Sequence, residues 1–205
     1  MAGHPAILAD LGALLANVET ATIGHFEHLG FVAGHVRPVV PTRAIGKAVT
    51  VAALGRDGSV VYQAIDLLEP GDVLVISRVD RDDVACVGGG VATAVAARGG
   101  VAIVVDGPCT DVEEIVATRL PVWCSGVSAK TSSREHQIGG SINCPIACGG
   151  AVVLPGYAVL ADASGIFVTD VERMYGIARM ALARQERSVR IHRHLAAGKS
   201  IFDFT

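Results

Sequence analysis

Aromatic side chains are scarce in this chain, at 4% of 205 residues. A core of that length must therefore be built from small aliphatic residues, which suits helices packed closely on a sheet, with the 24 glycines at tight turns. Charge is sparse too: 18% of residues are charged and 51% are hydrophobic, a balance that excludes a disordered chain. No run of Lys and Arg could neutralise a row of phosphates, and the net charge is −3, so nucleic acid is not expected as a direct ligand. No apolar stretch approaches the roughly 20 residues needed to span a bilayer, so no membrane partner is expected. The first residues lack a basic segment followed by an apolar core, so no signal peptide is expected. Zinc-type pairing is also missing. Five cysteines are present, Cys86, Cys109, Cys124, Cys144 and Cys148. Cys144 and Cys148 stand at the spacing of half a zinc site, but no second Cys or His pair accompanies them and Pro145 lies between. They read as small buried thiols, and the odd count fits reduced cysteines of a cytoplasmic protein.

What is present is a rhythm of short apolar runs and glycine turns. Residues 6–16 and 23–29 favour helix, and Gly30 and Gly34 break the pattern. Residues 44–53 carry Ile45, Val49 and Val51 at strand spacing, and 73–76 after Pro70-Gly71-Asp72 read as a buried strand. Gly88-Gly89-Gly90 opens a helix through Arg98, and Gly99-Gly100 ends it. A continuous apolar strand follows at 101–106, then a short helix at 111–118 and a strand at 121–124. That alternation predicts βαβ units with parallel pairs. Residues 125–145 read as a polar loop, and 151–168 as a meander of short strands. A long C-terminal helix is expected over 170–197, opened by a capping box of Thr169 and Glu172 and stopped by Gly198. Beyond Arg184 its apolar stripe thins, so this half is expected to leave the core and meet another subunit. No linker or repeat divides the chain, and a single domain over 1–205 is expected.

Three segments could carry chemistry. Gly88, Gly89, Gly90 and Val91 offer free amides and the positive end of a helix dipole, where a carboxylate or phosphate could dock; a ligand-free tight turn is the other reading. Asp106 to Glu113 sits at the carboxyl end of the strongest strand, where α/β proteins place ligands. There Thr110 and Glu113 fit a capping box. Asp111 fits either a favourable first-turn charge or a ligand to a divalent cation. Finally, Ser128 to His136 is a polar loop with anion donors and one imidazole, or simply a solvated loop.

Taken in order, these segments resemble the RraA-like superfamily and its 4-hydroxy-4-methyl-2-oxoglutarate type of class II pyruvate aldolase. The likeness runs through Thr20-Ala21-Thr22-Ile23, residues 44–51, Pro70-Gly71-Asp72, Gly88 to Ala94, Arg98-Gly99, Val104 to Gly107 and Asp111. It continues through Pro121-Val122-Trp123, Asn143 to Ile146, Gly149-Gly150, Pro155-Gly156, residues 161–166 and Gln185-Glu186-Arg187. The resemblance implies an α/β fold, an α-β-β-α sandwich with a long C-terminal helix. It also implies a homotrimer or hexamer with sites between subunits, and a divalent metal, Mg2+ or Mn2+. In the aldolases the glycine-loop amides and the metal hold the pyruvoyl part of a 2-oxo acid. On that pattern Asp111 and Glu186 are candidate metal ligands, and Gly88, Gly89, Gly90 and Val91 are candidate substrate contacts. Asp111, Thr110, Cys109 and His25 are candidate catalytic residues. The site is also rewritten: the aldolases carry an acidic residue where Gly89 stands and an arginine where Thr110 stands. Gly24-His25 and Tyr157 also depart from the pattern. Arg98, Lys130, Arg134 or His136 is expected to replace the missing cation, since a threonine hydroxyl cannot act as a bidentate positive charge.

The function expected from this is a metal-dependent carbon–carbon lyase, an aldolase or decarboxylase, acting on a small 2-oxo acid. Two alternatives are a metal-independent reaction in the same pocket, with Cys109 activated by the helix start beside it, and a non-catalytic RraA-like regulator.

Overall fold

The computed structural model describes residues 5–80, 82–135 and 139–204, with the backbone alone at 5–9. His136, one candidate for the missing cation, lies outside the described residues. The chain opens with two helices, α1 (Pro5–Leu15) and α2 (Thr20–Ile23). The helix expected at 23–29 thus lies earlier and is one turn long: Gly24 caps α2 and turns carry the chain onward.

After a short strand β1 (Arg37–Pro38) come three successive strand–helix–strand units. They are built from β2 (Ala44–Ala53), α3 (Ser59–Ile65), β3 (Asp72–Arg78), α4 (Gly89–Ala97), β4 (Ala102–Asp106), α5 (Val112–Thr118) and β5 (Val122–Cys124). β2, β3, β4 and β5 pair parallel in that order, as the alternation predicts. Their apolar runs are continuous because both faces of a parallel sheet are covered. All seven residues of β3 are buried, including Asp72, Ser77 and Arg78.

The remaining strands are β6 (Gly140–Ile142), β7 (Ile146–Cys148), β8 (Ala151–Val153), β9 (Ala158–Ala161) and β10 (Ile166–Thr169). They do not form the meander the turn spacing suggests. β7 and β8 make a separate hairpin, while β9 and β10 join the main sheet beside β2. The main sheet runs β1-β5-β4-β3-β2-β9-β10, and β6, inside the supposed loop, pairs with the far end of β2. A ten-residue β2 makes this possible: residues 44–47 face β9 and residues 51–53 face β6.

Packing follows these layers. Val49, Val51, Leu74, Ile76, Ile103 and Val105 meet Val60, Val61, Val91, Val95 and Ile115 from α3, α4 and α5. The other side of the strands, through Val73, Val75, Val104 and Trp123, meets the β7–β8 hairpin. A third cluster joins α1 and α2 with the last helix, α6 (Val171–Ala196), over Leu160 and Phe167. This is the α/β class expected. The cap of α6 is Asp170, whose side chain accepts from the Arg173 N–H; Thr169 ends β10 instead of capping. α6 buries Met174, Ile177, Ala178 and Ala181 and nothing after them, so its second half projects from the core as its composition foretold. Gly198 follows with φ of 74°, the left-handed stop that glycine permits. No described helix is long and apolar enough to cross a membrane.

Candidate active site

The loops leaving β3 and β4 are laced together. Val87 pairs with Cys109, and the Thr110 N–H donates to the Val87 carbonyl at 2.9 Å. This brings Gly88, the N-cap of α4, against Asp111, the N-cap of α5. Asp111 is left-handed, at φ 51° and ψ 47°, a region that L residues enter at a cost and that Asp tolerates better than most. The capping box read at Thr110 therefore does not form. The chain turns one residue later, and that turn aims the Asp111 carboxylate back at the glycine loop. A Cβ at Gly88 would lie 2.5 Å from Asp111 Oδ2 and 2.8 Å from Thr110 Cγ2, so any larger residue there would push the Asp111 carboxylate out of its present place.

Asp111 Oδ2 accepts the Gly89 N–H at 3.3 Å, and Oδ1 accepts the Thr110 hydroxyl at 3.3 Å. Both bonds are at the long end of the range, and the residue is exposed. The carboxylate is fixed in place and still has acceptor capacity to spare. The Gly90 and Val91 amides, in the first turn of α4, have no intrahelical acceptor. The Val91 side chain packs inward, so only its backbone faces the loop's ligand side.

Two further residues reach this loop. Glu114, in the first turn of α5, lies over Gly89: a Cβ there would sit 2.0 Å from Glu114 Oε2 and 2.5 Å from its Cβ. Tyr62 Oη comes within 3.4 Å of a Cβ at Gly90, and the Arg134 guanidinium stacks over the Tyr62 ring at 5.1 Å. Arg134 is thus the candidate cation linked by contact to the glycine loop. Arg98 caps the opposite end of α4 and pairs with Asp66, and Lys130 pairs with Asp83 at 2.7 Å. Glu114 escaped the sequence reading; its trace was an acidic residue three positions after Asp111, which helix-dipole preference alone explains.

His25 and Glu186 are not brought to the loop by the fold of the chain. His25 is exposed just after α2, beside the β10 end of the sheet, where Gly24 faces Phe31 and Phe31 pairs with Phe167. Glu186 is exposed on α6, next to Gln185, whose side chain bonds Glu19 and Asn17.

The thiols arrange differently from their spacing. Cys109, in the loop after β4, and Cys124, the last residue of β5, place their sulfurs 3.4 Å apart. Their mutual hydrogen bond pushes Cys109 well above the ordinary thiol range and, aided by the Gly126 and Cys109 amides, holds Cys124 below it. The depressed thiol is therefore Cys124, not Cys109. Cys148 is buried against β3, and burial pushes its thiol up to about 12; Cys86 is buried beside Arg78, and burial pushes it up to about 11. Cys144 is half-buried and touches the Ser141 hydroxyl.

Beyond the glycine loop, a cavity of about 360 Å³ lies at the carboxyl ends of β3 and β4, lined by Arg78, Asp82, Asp106, His35 and Gly149 among others. Asp106 accepts from the Gly149 N–H at 2.8 Å and meets His35 Nε2 at 2.9 Å. Arg78 Nη2 holds Gly55 O, Asp80 and Asp82. Of this group the sequence pointed only to Asp106, at the end of its strand; Arg78 there is one charge ending an apolar run.

The chain's middle matches the model of a known family, RraA-like (Aldolase/RraA), over residues 15–168. The chain belongs to the RraA-like family. The matched span includes Gly88 to Arg134 and stops short of α6. Among RraA-like relatives, a protein of Halalkalibacterium halodurans named "Putative 4-hydroxy-4-methyl-2-oxoglutarate aldolase" is 33% identical over 127 residues, 62% of this chain and 59% of its own length. One of the same name from Hahella chejuensis is 34% identical over 125 residues, 60% of this chain and 74% of its own. The match thus spans well under two thirds of the first relative. Among solved structures, Streptomyces coelicolor RraAS2, described as an unusual member of the RNase ES inhibitor RraA protein family, superposes with TM-score 0.75 at 24% identity, over 87% of this chain and 93% of its own. An uncharacterised Pseudomonas syringae protein superposes with TM-score 0.79 at 20% identity, over 94% and 91%. At these identities the structures establish the RraA-like fold.

A divalent metal, which this family's aldolases imply, can be tested against the residues present. Among the described residues no three His, Cys, Asp or Glu side chains converge on one point. Mg2+ does not require that: it is held by one or two carboxylates with waters completing its shell. Asp111, exposed and with unspent acceptors, fits that mode, and Glu114 stands across Gly89 as a second carboxylate.

Proposed function

We propose that this chain is a divalent-metal-dependent carbon–carbon lyase, of aldolase or decarboxylase type, acting on a small 2-oxo acid at the Gly88–Val91 loop. One observation carries the reading: Asp111 is held in a left-handed turn that fixes a solvent-facing carboxylate against the glycine-cleared start of α4. Mg2+ or Mn2+ would be held by Asp111 with Glu114, and Glu186 could join only from a second copy of the chain, in the homotrimer or hexamer that we also propose. When bound, such an ion withdraws electrons from a 2-oxo group and so favours scission of the adjacent C–C bond.

The chain's own residues supply the rest. The Gly90 and Val91 amides and the dipole of α4 orient a carboxylate. Arg134, stacked on Tyr62, supplies the positive charge that Thr110 lacks. Thr110 keeps Asp111 oriented through its hydroxyl. The names of the aldolase relatives support the reaction class. A cytoplasmic location and a single domain belong to the same proposal.

The test is pyruvate release from oxaloacetate and from 4-hydroxy-4-methyl-2-oxoglutarate, with magnesium, manganese or chelator, for the wild type and Asp111→Ala. Metal-dependent release that the substitution abolishes is the expected result. Release unaffected by chelator, or by Asp111→Ala, would overturn it. The neutral residues at positions 89 and 110 favour one other reading, a regulator without catalysis. Absence of release under every condition, with a stable protein partner recovered, would select it.

A further inference from the structure

We propose that Cys109 and Cys124 are an oxidisable dithiol, which a peroxide converts into an intrachain disulfide that reversibly closes the Asp111 site. Their sulfurs are 3.4 Å apart, against the ~2.05 Å of a disulfide bond, so joining them needs only a small contraction. The Cys109 backbone is anchored to the segment just after Cys124: the Cys109 N–H donates to Gly126 O and the Ser128 N–H donates to Cys109 O, each at 2.9 Å. Among the described residues no other pair of sulfurs is in hydrogen-bond contact.

Access is asymmetric. Cys124 lines an open cleft of about 310 Å³, bounded by Val39, Val112, Gly126 and Val127, which admits a molecule as small as hydrogen peroxide. Cys109 is fully buried behind it. Oxidation therefore begins at Cys124. Its sulfur, having given its proton to solvent, attacks one peroxide oxygen; an S–O bond forms, the O–O bond breaks, and the leaving hydroxide takes up a proton as water. The Cys109 thiol, held against that sulfur, then attacks the Cys124 sulfenic sulfur; the S–S bond forms, the S–O bond breaks, and the departing hydroxyl takes the Cys109 proton and leaves as a second water. Two thiols lose two electrons, and one peroxide becomes two waters. A cellular dithiol reverses the step by exchange, so in a reducing compartment the bond is transient.

Consequence follows from position. Cys109 is bonded directly to Thr110, whose N–H holds Val87, and lies two residues from Asp111, whose carboxylate holds Gly89. Drawing Cys109 toward β5 pulls on both ties and displaces Asp111 from the glycine loop. The disulfide itself stands on the geometry alone; its effect on turnover rests on the lyase reading.

The two are separated by measuring them separately. The full chain, first reduced, is titrated with hydrogen peroxide, alkylated and mapped by mass spectrometry without reduction. The expected result is a crosslinked Cys109–Cys124 peptide, loss of two of the five free thiols, and full reversal by dithiothreitol. Cys109→Ser should stop Cys124 at a sulfenic acid that dimedone traps, while Cys124→Ser leaves Cys109 unreacted; both variants are checked for an unchanged melting transition. Sulfinic acid at Cys124 without the crosslink in the wild type, or crosslinks among other cysteines, would overturn the proposal, and the wild-type result needs no variant to fold. Amide exchange over residues 88–90 and 107–112 should change on oxidation. Turnover should fall about tenfold or more, as misplaced reacting groups do. A crosslink with unchanged exchange would sink the gating half, whatever the catalytic assay reads.

Discussion

Asp111 and Asp162 sit in two different parts of the molecule, and they are bonded in opposite ways. Asp162, between β9 and β10, accepts the Thr20 N–H at 2.8 Å, the Thr20 hydroxyl at 2.6 Å, the Ser164 N–H at 2.8 Å and the Gly165 N–H at 3.2 Å. Its carbonyl also accepts from Trp123 Nε1 at 3.1 Å. That carboxylate is consumed in knotting α2, β5 and the β9–β10 turn together. Asp111 has two bonds, both 3.3 Å, and faces solvent. A carboxylate whose lone pairs are all taken is structural; one that is fixed yet unsaturated is available to a ligand.

The contrast can be broken first at the knot. Asp162→Ala leaves Thr20 and the turn amides without their charged acceptor. It should cost about 3 kcal/mol of stability in denaturant unfolding, with turnover per folded molecule retained. Next in size is the loop: Asp111→Asn should lower pyruvate release about a hundredfold while stability stays within about 0.5 kcal/mol, because asparagine also accepts the left-handed turn. If the two substitutions exchange these outcomes, the distinction is wrong. Arg134→Ala should raise KM about tenfold with kcat little changed, the signature of lost uniform binding. An unmoved KM would remove Arg134 from the substrate's carboxylate.

The smallest expected effect concerns a third aspartate. Burial at the start of β3 raises the Asp72 carboxyl above its usual range, against the opposing pull of the Glu69 amide and of Lys47, 3.5 Å away. On acidification the folded protein therefore takes up this proton before the unfolded chain does. The contribution of Asp72 to stability grows as pH falls through that raised value, and levels off below the ordinary carboxylate pKa. Asp72→Asn removes this gain, so the stability difference between wild type and variant should move toward wild type as pH drops from neutral. A difference flat with pH would mean the carboxyl is not raised.

Much of this was legible in the sequence because it is local. Continuous apolar runs separated by glycine gave β3, α4, β4, α5 and β5, and their alternation gave the parallel order. The glycine loop and Asp111 could be singled out from residue type alone. The pairing of β8 with β7 in place of β9 was not legible, since short strands of three or four residues offer the same local pattern in either arrangement. Nor was the shift of the cap from Thr110 to Asp111, because a capping box and a left-handed turn can be written in the same residues.

By itself, then, the sequence determined the class of the fold, its βαβ order and a glycine-headed helix beside an acidic residue. Periodicity and turn chemistry are read over a few neighbouring positions, and those neighbours are covalently assured. Only the tertiary structure decided which distant groups meet. It laid Glu114 on Gly89, brought Arg134 to the loop through Tyr62, faced Cys124 with Cys109, and set His25 just after α2 and Glu186 on α6. Those meetings depend on strand register and on where each crossover returns to the sheet, and no stretch of local sequence encodes them.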